Sequence, residues 1–508
     1  MLTLAVTLGM SAQQETERGP VAHLRGCRVG TPNPQFKSRR APLLKGGENP
    51  YIGNRRQLVV LASFQDMDFM EDHEAALQKW GKIFNVENYT ENDFVGSLHD
   101  YFMAQSYGQF NLTFDLLFVE LPDGRYKYRS TYSHDENSQY MVDDIVDVLQ
   151  TLDIDWSLYD WNGDTFIDQL LIIYAGQGMN AGGGSNTIWP HQWWLSQHLN
   201  QKTADPIDHR SYRTVVQGNK EYHIDCYCCL QEYTEDEIRK IPFGTICHEY
   251  SHCFGLPDFY ARNGSIVIGS WDLMDSGNYN GWGLRPCSYS AHERMLMGWL
   301  TPVELTSTTA IIDMPALVDE PVAYLIRNDG AENEYYIVEN RQQRGWDEDL
   351  PGSGILVFHI DYDKDIWIST TTSANSDDGN RYYIFAANNK FGVSASSDWA
   401  YPYVAKDVLG NDSLVNDRLT NTSEPAATLK NPNIDGKLLM SKPITNMAVD
   451  ANGLASFVFM DKTTTSVHGV PLSQDHDTAT PIYDLQGRRL SAPVKGLYIQ
   501  GNKLMIKK

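Results

Sequence analysis

The sequence predicts an α+β protein. Apolar runs typical of buried strands, such as LVVLASF (58–64) and DQLLIIYAG (168–176), alternate with amphipathic helical stretches, such as residues 137–152, up to about residue 302. From residue 303 the pattern changes to short apolar stretches between turn signals, which favours all-β structure. The chain has 508 residues, 42% of them hydrophobic and 21% charged, so it is long enough for about three folded domains and unlike a disordered chain.

These changes of pattern divide the chain into six predicted segments. Residues 1–12 are apolar and end in small residues, as the core of a secretory signal does, but the basic start of a complete signal is missing. We therefore predict a signal peptide that is truncated at its start, and the alternative is a frayed N-terminus that is not a signal. The segments are the signal (1–12), a propeptide or N-terminal segment (13–55), the main domain (56–302), a β-rich domain (303–461), a polar linker (462–479) and a C-terminal tail (480–508).

Local signals set the order of elements in the main domain. FNLTFDLLFVEL (110–121) is rich in β-branched and aromatic residues, so it predicts a strand. Thr90 begins a T-x-x-D pattern, which predicts the start of a helix that continues through SLHDYFMAQSYG (97–108). At the other end of the chain, the last 28 residues predict two short strands.

The charge balance excludes one large class of partners. Lys and Arg number 41 and Asp and Glu number 65, so the formal net charge is −24. A protein that binds nucleic acid needs a basic face that releases counterions, so we expect no nucleic acid partner. The sequence has no run of about 18 apolar residues, so we expect no transmembrane segment either.

The stretch FGTICHEYSHCFGLPDFY (243–260) carries a pattern typical of metal chemistry. His248 and His252 are four residues apart, so on a helix both imidazoles lie on one face, where a single Zn²⁺ can bind both. Glu249 stands beside the first histidine, where a carboxylate can act as a general base without being a ligand. Gly255 can end the helix, after which the chain can bring Asp258 back toward the histidines.

A third ligand is needed, and the sequence offers two. Three protein ligands with one open position are the arrangement of a catalytic zinc site, whereas a structural site is closed. Asp258 is close in sequence, and Glu293 in SYSAHERMLMGW (288–299) is its rival because a later helix can also supply a carboxylate. We favour Asp258 because the glycine turn brings it near the histidines without any long-range assumption.

The motif resembles a known family. HEYSHCFGLPDFY (248–260) is similar to the extended zinc signature of metzincin-type peptidases and closely resembles the immune inhibitor A family. The resemblance covers about residues 57–460 and implies a zincin-like catalytic domain at 56–302, with a mixed sheet and the HExxH motif on a helix, followed by a sandwich-like all-β domain. The other stretches that agree are SLHDYFMAQSYGQFNLTFD (97–115), DWNGDTFIDQLLIIYAG (160–176), NTIWPHQWW (186–194), GSWDLMDSGNYNGWG (269–283) and ENRQQRGWDEDLPGSGILVFHIDY (339–362).

The resemblance also implies an activity and individual roles. It implies a secreted zinc-dependent endopeptidase that hydrolyses protein or peptide substrates, with Glu249 as the general base. Met274 would lie in a turn beneath the metal, although its own sequence context indicates only an ordinary core methionine. Tyr279, just past that turn, is a candidate for stabilising the oxyanion. The zinc ligands that the resemblance implies are His248, His252 and Asp258.

A second stretch predicts a structural calcium site. DWNGDTFID (160–168) places oxygen-bearing side chains at positions 1, 3, 5 and 9 of a loop, and calcium-binding loops wrap the cation from such positions. Glycine at position 4 and Leu171 at position 12 depart from a full EF-hand. The alternative is a solvated turn rich in Asp and Asn. The candidate ligands are Asp160, Asn162, Asp164 and Asp168.

Seven cysteines leave at least one thiol outside any full pairing scheme. Cys247 and Cys253 are too far apart along one helix to bridge each other, so a pairing of either with Cys287 or with the cysteines at 226–229 stays open. Cys27, in RGCRVGTPNP, resembles a cysteine switch, in which a propeptide thiolate occupies the open zinc position. A free or disulfide-bonded thiol is the alternative for this residue.

The C-terminal tail resembles a secretion signal. Residues 480–508 resemble a short version of the sorting tails of type IX secretion substrates, which implies a secretion machinery as partner and a secreted or cell-surface location. A terminal hairpin is the alternative.

The rival function is a catalytically silent, calcium-stabilised surface adhesin on a peptidase scaffold. Glu249 argues against it, because a silent site could lose the general base and keep its metal.

Overall fold

The computed structural model describes residues 49–130, 137–197, 212–234, 240–261, 267–367, 374–376, 379–389, 401–406 and 416–461, together with four short strands beyond residue 481. The chain divides into two compact units between residues 461 and 462. The predicted signal, the propeptide segment up to residue 48, Cys27 and the linker (462–479) lie outside the described residues.

One mixed sheet organises residues 49–302. Its strands are β1 (Gly53–Ser63), β2 (Phe110–Glu120), β3 (Leu170–Gln177), β4 (His191–Trp194) and β7 (Cys226–Tyr233), and a separate hairpin joins β5 (Arg213–Gln217) and β6 (Lys220–Ile224). The strand order is β2-β1-β3-β7-β4, with β4 antiparallel at one edge and the other four strands parallel. The inner strand β3 is buried along nearly its whole length, as its continuous apolar run requires.

The described residues of this part form six α-helices, three of which begin at a side-chain cap. They are α1 (His73–Asn85), α2 (Leu98–Gln105), α3 (Arg125–Tyr128), α4 (Ser138–Leu149), α5 (Phe243–Ser251) and α6 (Ala291–Met297). At the start of α2, Ser97 Oγ accepts a hydrogen bond from the Asp100 amide, and the Asp100 carboxylate accepts one from the Ser97 amide. Within the described residues, no helix is long and apolar enough to cross a membrane.

The predicted helix start at Thr90 is wrong. The Thr90 side chain makes no capping hydrogen bond, and only a short 3-10 turn, Glu91–Asp93, follows it. Asn92 adopts a φ of 55°, which no right-handed helix can contain, so the chain leaves the turn before a helix can form. The helix instead begins seven residues later, at the reciprocal cap of Ser97 and Asp100.

Residues 303–461, called here the β-rich segment, form further sheets. The strands are β8 (Val303–Glu304), β9 (Thr309–Met314), β10 (Tyr324–Asn328), β11 (Ala331–Arg341), β12 (Ser353–Asp361), β13 (Asn375–Ser376), β14 (Gly379–Asn380), β15 (Tyr382–Ile384), β16 (Tyr403–Lys406), β17 (Ile444–Val449) and β18 (Ala455–Phe459). A six-stranded sheet has the order β15-β12-β11-β10-β8, with β16 also on β12, and a three-stranded antiparallel sheet has the order β17-β18-β9. The short helix α7 (Lys364–Trp367) follows β12, and β13 pairs with β14.

The β-rich segment contributes to two apolar cores. One core contains side chains of both of its larger sheets, including Ile326 and Phe457. The other contains alternate residues of β10–β12, such as Ile337 and Phe358, together with apolar residues of the first 302 residues, such as Trp299. Because strand side chains alternate between faces, the six-stranded sheet supplies both cores. The predicted α+β class is confirmed, whereas the sandwich description and the domain boundary at 302 stay predictions.

A buried ionic cluster reinforces the packing of the β-rich segment on the rest of its unit. The Arg341 side chain is wholly buried and donates to the carboxylates of Glu339 and Asp347 and to the carbonyl of Ser288. Asp347 in turn accepts a hydrogen bond from the Ser288 amide. A buried charge is tolerated only when it is paired and hydrogen-bonded, so this cluster fixes the residues just before α6 relative to β11.

The second unit is described only by its backbone strands. They are β19 (Ile482–Tyr483), β20 (Arg489–Leu490), β21 (Gly496–Gln500) and β22 (Lys503–Lys507), and they form one antiparallel sheet in the order β20-β19-β21-β22. The prediction of two strands in this region is therefore wrong. Short strands gain stability as members of a larger sheet, which a two-strand pairing cannot provide.

Candidate metal centre

The helix α5 and the turn after it carry the candidate ligands. His248 and Glu249 lie on α5, and His252 begins a 3-10 turn that continues to Phe254. Gly255 ends this turn with a φ of 84°, a left-handed conformation that glycine adopts without steric cost. The chain therefore reverses after the turn, and the residues that follow lie back against the histidines.

The start of α5 is pressed against the segment 277–283. A Cβ atom added to Gly244 would lie 1.9 Å from the carbonyl oxygen of Asn278, so only glycine allows this approach of the two backbones. The segment is itself a 3-10 turn, Gly277–Gly283. One helical turn separates Gly244 from His248, so the close approach fixes where the first histidine stands.

His248, His252 and Asp258 converge. The two imidazole rings have centroids 5.0 Å apart and are nearly perpendicular, with an interplanar angle of 83°. Asp258 Oδ1 lies 3.2 Å from His248 Nε2 and 3.5 Å from His252 Nε2. Among the described residues, these three are the only group of His, Cys, Asp or Glu side chains placed so that all could hold one metal ion, with ligand atoms within 4.8 Å of one another.

Backbone carbonyls fix the orientation of both rings. His248 Nδ1 lies 2.7 Å from the Leu273 carbonyl oxygen, and His252 Nδ1 lies 2.7 Å from that of Leu256. A carbonyl only accepts hydrogen bonds, so each Nδ1 is the donor, and in the neutral ring Nε2 carries the free lone pair. Both lone pairs are thereby directed toward Asp258. Two neutral imidazole nitrogens and one carboxylate oxygen are a donor set that suits Zn²⁺.

Burial lowers the pKa of both imidazoles, whereas the Asp258 carboxylate raises it. Burial lowers the pKa of His248, but its interaction with Asp258 outweighs burial and raises the pKa to about 9. At His252 burial dominates and lowers the pKa to about 4. Asp258 Oδ1 also lies nearer to His248 Nε2 than to His252 Nε2. Since a metal ligand must be a neutral imidazole, cation binding at this group competes with a proton on His248.

Glu249 lies beside the ligand group without belonging to it. Its carboxylate is buried, and Oε2 is 3.9 Å from His252 Nε2. The sequence gives Glu249 the helix position next to His248, and the structure brings its oxygen toward the same space as the ligand atoms. A carboxylate so placed can take or give a proton near the metal position.

The turn that contains Met274 supports two parts of the site. The carbonyl of Leu273 accepts the hydrogen bond from His248, and the carbonyl of Met274 accepts one of 2.9 Å from the amide of Phe259, the residue after Asp258. The Met274 amide donates to Asp272 Oδ1 over 2.8 Å. Met274 itself is fully buried. Its predicted support of the metal site stays a prediction about its side chain, while its backbone holds the Asp258 loop.

Asp275 links residues 267–269 to the turn that contains Met274. One carboxylate oxygen of Asp275 accepts hydrogen bonds from the amides of Val267, Ile268 and Gly269. Three amide donors to one oxygen hold these residues against the turn.

Tyr279 follows in the 3-10 segment and is half-buried, with its amide bound to the Ser276 carbonyl at 3.1 Å. Its role as an oxyanion donor stays a prediction.

Glu293, the rival ligand, is occupied elsewhere. It is the third residue of α6, where its carboxylate accepts a hydrogen bond of 2.7 Å from the Ser290 amide, and Ser290 Oγ accepts one from the Glu293 amide. Burial, and then the nearby charge of Asp272, raise the pKa of Glu293 well above its usual value. Glu293 thus caps a helix, and Asp258 is the carboxylate that the structure brings to the histidines.

The predicted calcium loop closes on its own backbone. Asp160 Oδ2 accepts from the Thr165 amide, Asp164 Oδ1 from the Phe166 amide, and Asp168 Oδ2 from the Trp161 amide. Asn162 Oδ1 accepts from the Asp164 amide. Within the described residues, Asp160, Asp164 and Asp168 do not form a group with three converging ligand atoms. The structure therefore shows an Asx-rich turn, and calcium binding stays a prediction.

No disulfide forms among the cysteines that the structure describes. These cysteines are Cys226, Cys228, Cys229, Cys247, Cys253 and Cys287. The pairings left open for Cys247 and Cys253 are thus absent from the described part of the chain. Their neighbours are apolar: Cys247 and Cys287 belong to the main core, and Cys253 packs against the small cluster of Trp194 and Cys226.

Several contributors to the site carry no strong sequence signal. The carbonyls of Leu256 and Leu273 orient the histidines, but backbone groups of apolar residues cannot be recognised from sequence. Asp272 caps the turn through the Met274 amide, and its position two residues earlier is a recognisable Asx-turn spacing.

The candidate ligands lie in a region of the chain that is similar to one known family. Residues 60–298 match the family model "Immune inhibitor A peptidase M6, catalytic domain". The chain is 32% identical over 152 residues to Immune inhibitor A of Bacillus thuringiensis subsp. alesti, an alignment that covers 27% of this chain and 20% of that protein. It is 28% identical over 155 residues to the pre-pro-metalloprotease PrtV of Vibrio cholerae, which covers 27% of this chain and 15% of PrtV.

The aligned region therefore spans a fifth or less of these curated relatives. A solved structure, wild-type OgpA from Akkermansia muciniphila, aligns with 85% of this chain and 96% of its own at 12% identity. Its TM-score of 0.23 does not establish a shared fold.

Proposed function

Because residues 60–298 match the catalytic-domain model of the immune inhibitor A peptidase M6 family, we propose that the protein is a secreted zinc-dependent metalloendopeptidase. The observation that carries the proposal is the convergence of His248 Nε2, His252 Nε2 and Asp258 Oδ1, with Glu249 beside them. Zinc would be held by these three side chains. Three protein ligands leave a coordination position for water or substrate, which is the arrangement that catalysis requires.

Side chains of the protein carry out the proton transfers of the proposed reaction. Zinc, when bound, contributes Lewis acidity, which polarises a peptide carbonyl and makes water easier to deprotonate. Glu249 Oε2 takes the proton from the attacking water and passes it to the nitrogen of the departing amine. The Leu256 and Leu273 carbonyls keep His248 and His252 in the tautomer that this chemistry needs. Tyr279 is the proposed hydrogen-bond donor to the oxyanion.

The first test removes the general base alone. We expect Glu249→Gln to keep its zinc content and thermal stability and to lose about 10²–10⁴-fold in casein hydrolysis, because the amide cannot accept the proton. The matched control is Glu334→Gln, since Glu334 is also a buried carboxylate beside a histidine, His359, but lies in the β-rich segment. It should hydrolyse casein at the wild-type rate.

Two outcomes would contradict this assignment. Full hydrolysis by Glu249→Gln would refute its role as general base. A wild-type chain that binds zinc but hydrolyses neither casein nor a peptide library would instead support the silent adhesin on a peptidase scaffold.

We also propose that the loop 160–168 binds a structural Ca²⁺. Asp160 Oδ1 is buried and has no hydrogen-bond partner among the described residues. Burial, followed by the charge of Asp164, raises the pKa of Asp160, so a cation at this carboxylate would offset an existing electrostatic cost. Calcium-binding loops provide oxygen ligands at the same loop positions.

Calcium should therefore stabilise the folded protein. We expect millimolar Ca²⁺ to raise the Tm of the wild type by several degrees, since an ion that binds only the folded state stabilises it. Asp164→Ala should abolish the response. The control Asp155→Ala removes a nearby aspartate that also accepts from a backbone amide, and it should keep the response. A wild-type Tm that is equal in calcium and in chelator would refute the site.

We further propose that the tail directs export. Its resemblance to type IX sorting tails, and its place in a compact unit (462–508) separate from the rest of the chain, support this proposal. In a host with type IX secretion, deletion of residues 480–508 should leave the protein in the cells, whereas deletion of the linker (462–479) should not. Normal secretion without the tail would refute the proposal.

A further inference from the structure

We propose that Asn375 and Tyr382, both in the β-rich segment, are positioning residues for the metal ligands. The inference rests on the proposed function and deepens it, because it assigns the β-rich segment a part in holding the metal site. Neither side chain belongs to the ligand group. Asn375 is connected to the residue after Asp258 by one hydrogen bond, and Tyr382 is connected to His248 by a series of three.

The first route leads from Asn375 to Asp258. Asn375 Nδ2 donates to the carbonyl of Phe259 over 2.6 Å, and Phe259 directly follows Asp258. The Phe259 amide is bound from the opposite side, at 2.9 Å, by the carbonyl of Met274. Both backbone polar groups of Phe259 are thus held by distant parts of the chain, in a stretch that has no regular secondary structure of its own.

Asn375 is itself held firmly. Its Oδ1 accepts hydrogen bonds from the amides of Arg381 and Tyr382, at 3.1 and 2.9 Å, and Nδ2 also donates to the Tyr382 carbonyl. The side chain is buried. An amide with this many partners has one orientation, so the position of Phe259 is coupled to the β-rich segment.

The second route leads from Tyr382 to His248. The Tyr382 hydroxyl donates to Asp272 Oδ2 over 3.0 Å, and Asp272 Oδ1 accepts from the Met274 amide. The peptide group between Leu273 and Met274 therefore carries Asp272 on its N–H and His248 on its C=O. The Tyr382 ring also packs on the Phe259 ring, with centroids 4.0 Å apart, so the two routes meet.

This arrangement explains why a segment outside the zinc motif lies against it. A ligand at the end of an irregular loop can hold a metal only when the loop has one conformation. Gly255 lets the chain reverse but does not fix where Asp258 comes to rest. Asn375 and Tyr382 supply that restraint, through groups more than 100 residues away in sequence.

The test compares two variants with matched controls in the full-length, zinc-loaded protein. Asn375→Asp keeps the acceptor oxygen and removes the donor to Phe259, and Tyr382→Phe removes only the hydroxyl. Asn340→Asp is the control for the first, since Asn340 is buried in β11 and its Nδ2 also donates to two carbonyls, those of Met314 and Gly453. Tyr336→Phe is the control for the second, since the buried Tyr336 hydroxyl donates to the Thr428 carbonyl.

The readouts are the rate of zinc release to a competing chelator, kcat, KM and Tm. We expect Asn375→Asp and Tyr382→Phe to release zinc about 10-fold faster and to lower kcat with little change in KM, because partners that orient metal ligands typically affect metal affinity by about 10–100-fold. The two controls should lower Tm by a similar amount and release zinc at the wild-type rate.

The outcomes separate this inference from the proposed function. Equal zinc release by the variants and their controls would overturn the inference, and the peptidase proposal would stand if the wild type hydrolyses protein. A wild type that binds zinc without hydrolysis would refute the peptidase proposal, while the release rates would still decide the inference. If Asn375→Asp does not fold, Tyr382→Phe with its control decides it alone.

Discussion

The hydrogen bonds from His248 Nδ1 and His252 Nδ1 to the carbonyls of Leu273 and Leu256 are the constraint on which the site depends. They direct both Nε2 atoms toward Asp258, and a rotated ring would direct its lone pair elsewhere. One of these carbonyls lies in the turn after Gly255 and the other in the turn of Met274. The geometry of the candidate metal centre therefore depends on two irregular segments that both contact the histidines of α5 and the turn after it.

The rest of the unit serves to hold those segments in place. Gly244 lets α5 approach the 277–283 segment, and Asp275 closes the turn of Met274 with three amide donors. The buried Arg341 cluster then fixes the chain before α6 against β11. Because these contacts cross residue 302, the β-rich segment and the metal centre are one packing unit. The helix α5, which carries His248 and Glu249, is only nine residues long, so the position of the candidate ligands depends on these contacts.

Local spacing made part of the site predictable from sequence. His248, Glu249, His252 and Asp258 lie within eleven consecutive positions, so helix geometry and one glycine turn are enough to suggest their convergence. Asp258 and Glu293 are both buried acids, and the sequence alone could not exclude either one. The structure separates them by their hydrogen bonds, since Glu293 completes a capping box.

Contacts between residues that are distant in sequence could not be predicted from the sequence. Asn375 lies in a polar stretch and Tyr382 in an aromatic one, and no periodicity connects either of them to a loop more than 100 positions earlier. The helix start predicted at Thr90 failed for a local reason, because a T-x-x-D pattern also suits the 3-10 turn that forms there. The antiparallel placement of β4 at the sheet edge likewise depends on its pairing with β7, which strand patterns do not specify.

The most direct test of the account is zinc analysis with zinc K-edge X-ray absorption on the full-length wild type, Asp258→Asn and Glu293→Gln. The account predicts one zinc per chain in the wild type and in Glu293→Gln, with nitrogen and oxygen ligands at about 2.0–2.2 Å, and loss of zinc from Asp258→Asn. Zinc kept by Asp258→Asn and lost from Glu293→Gln would contradict it, as would a sulfur ligand at about 2.3 Å.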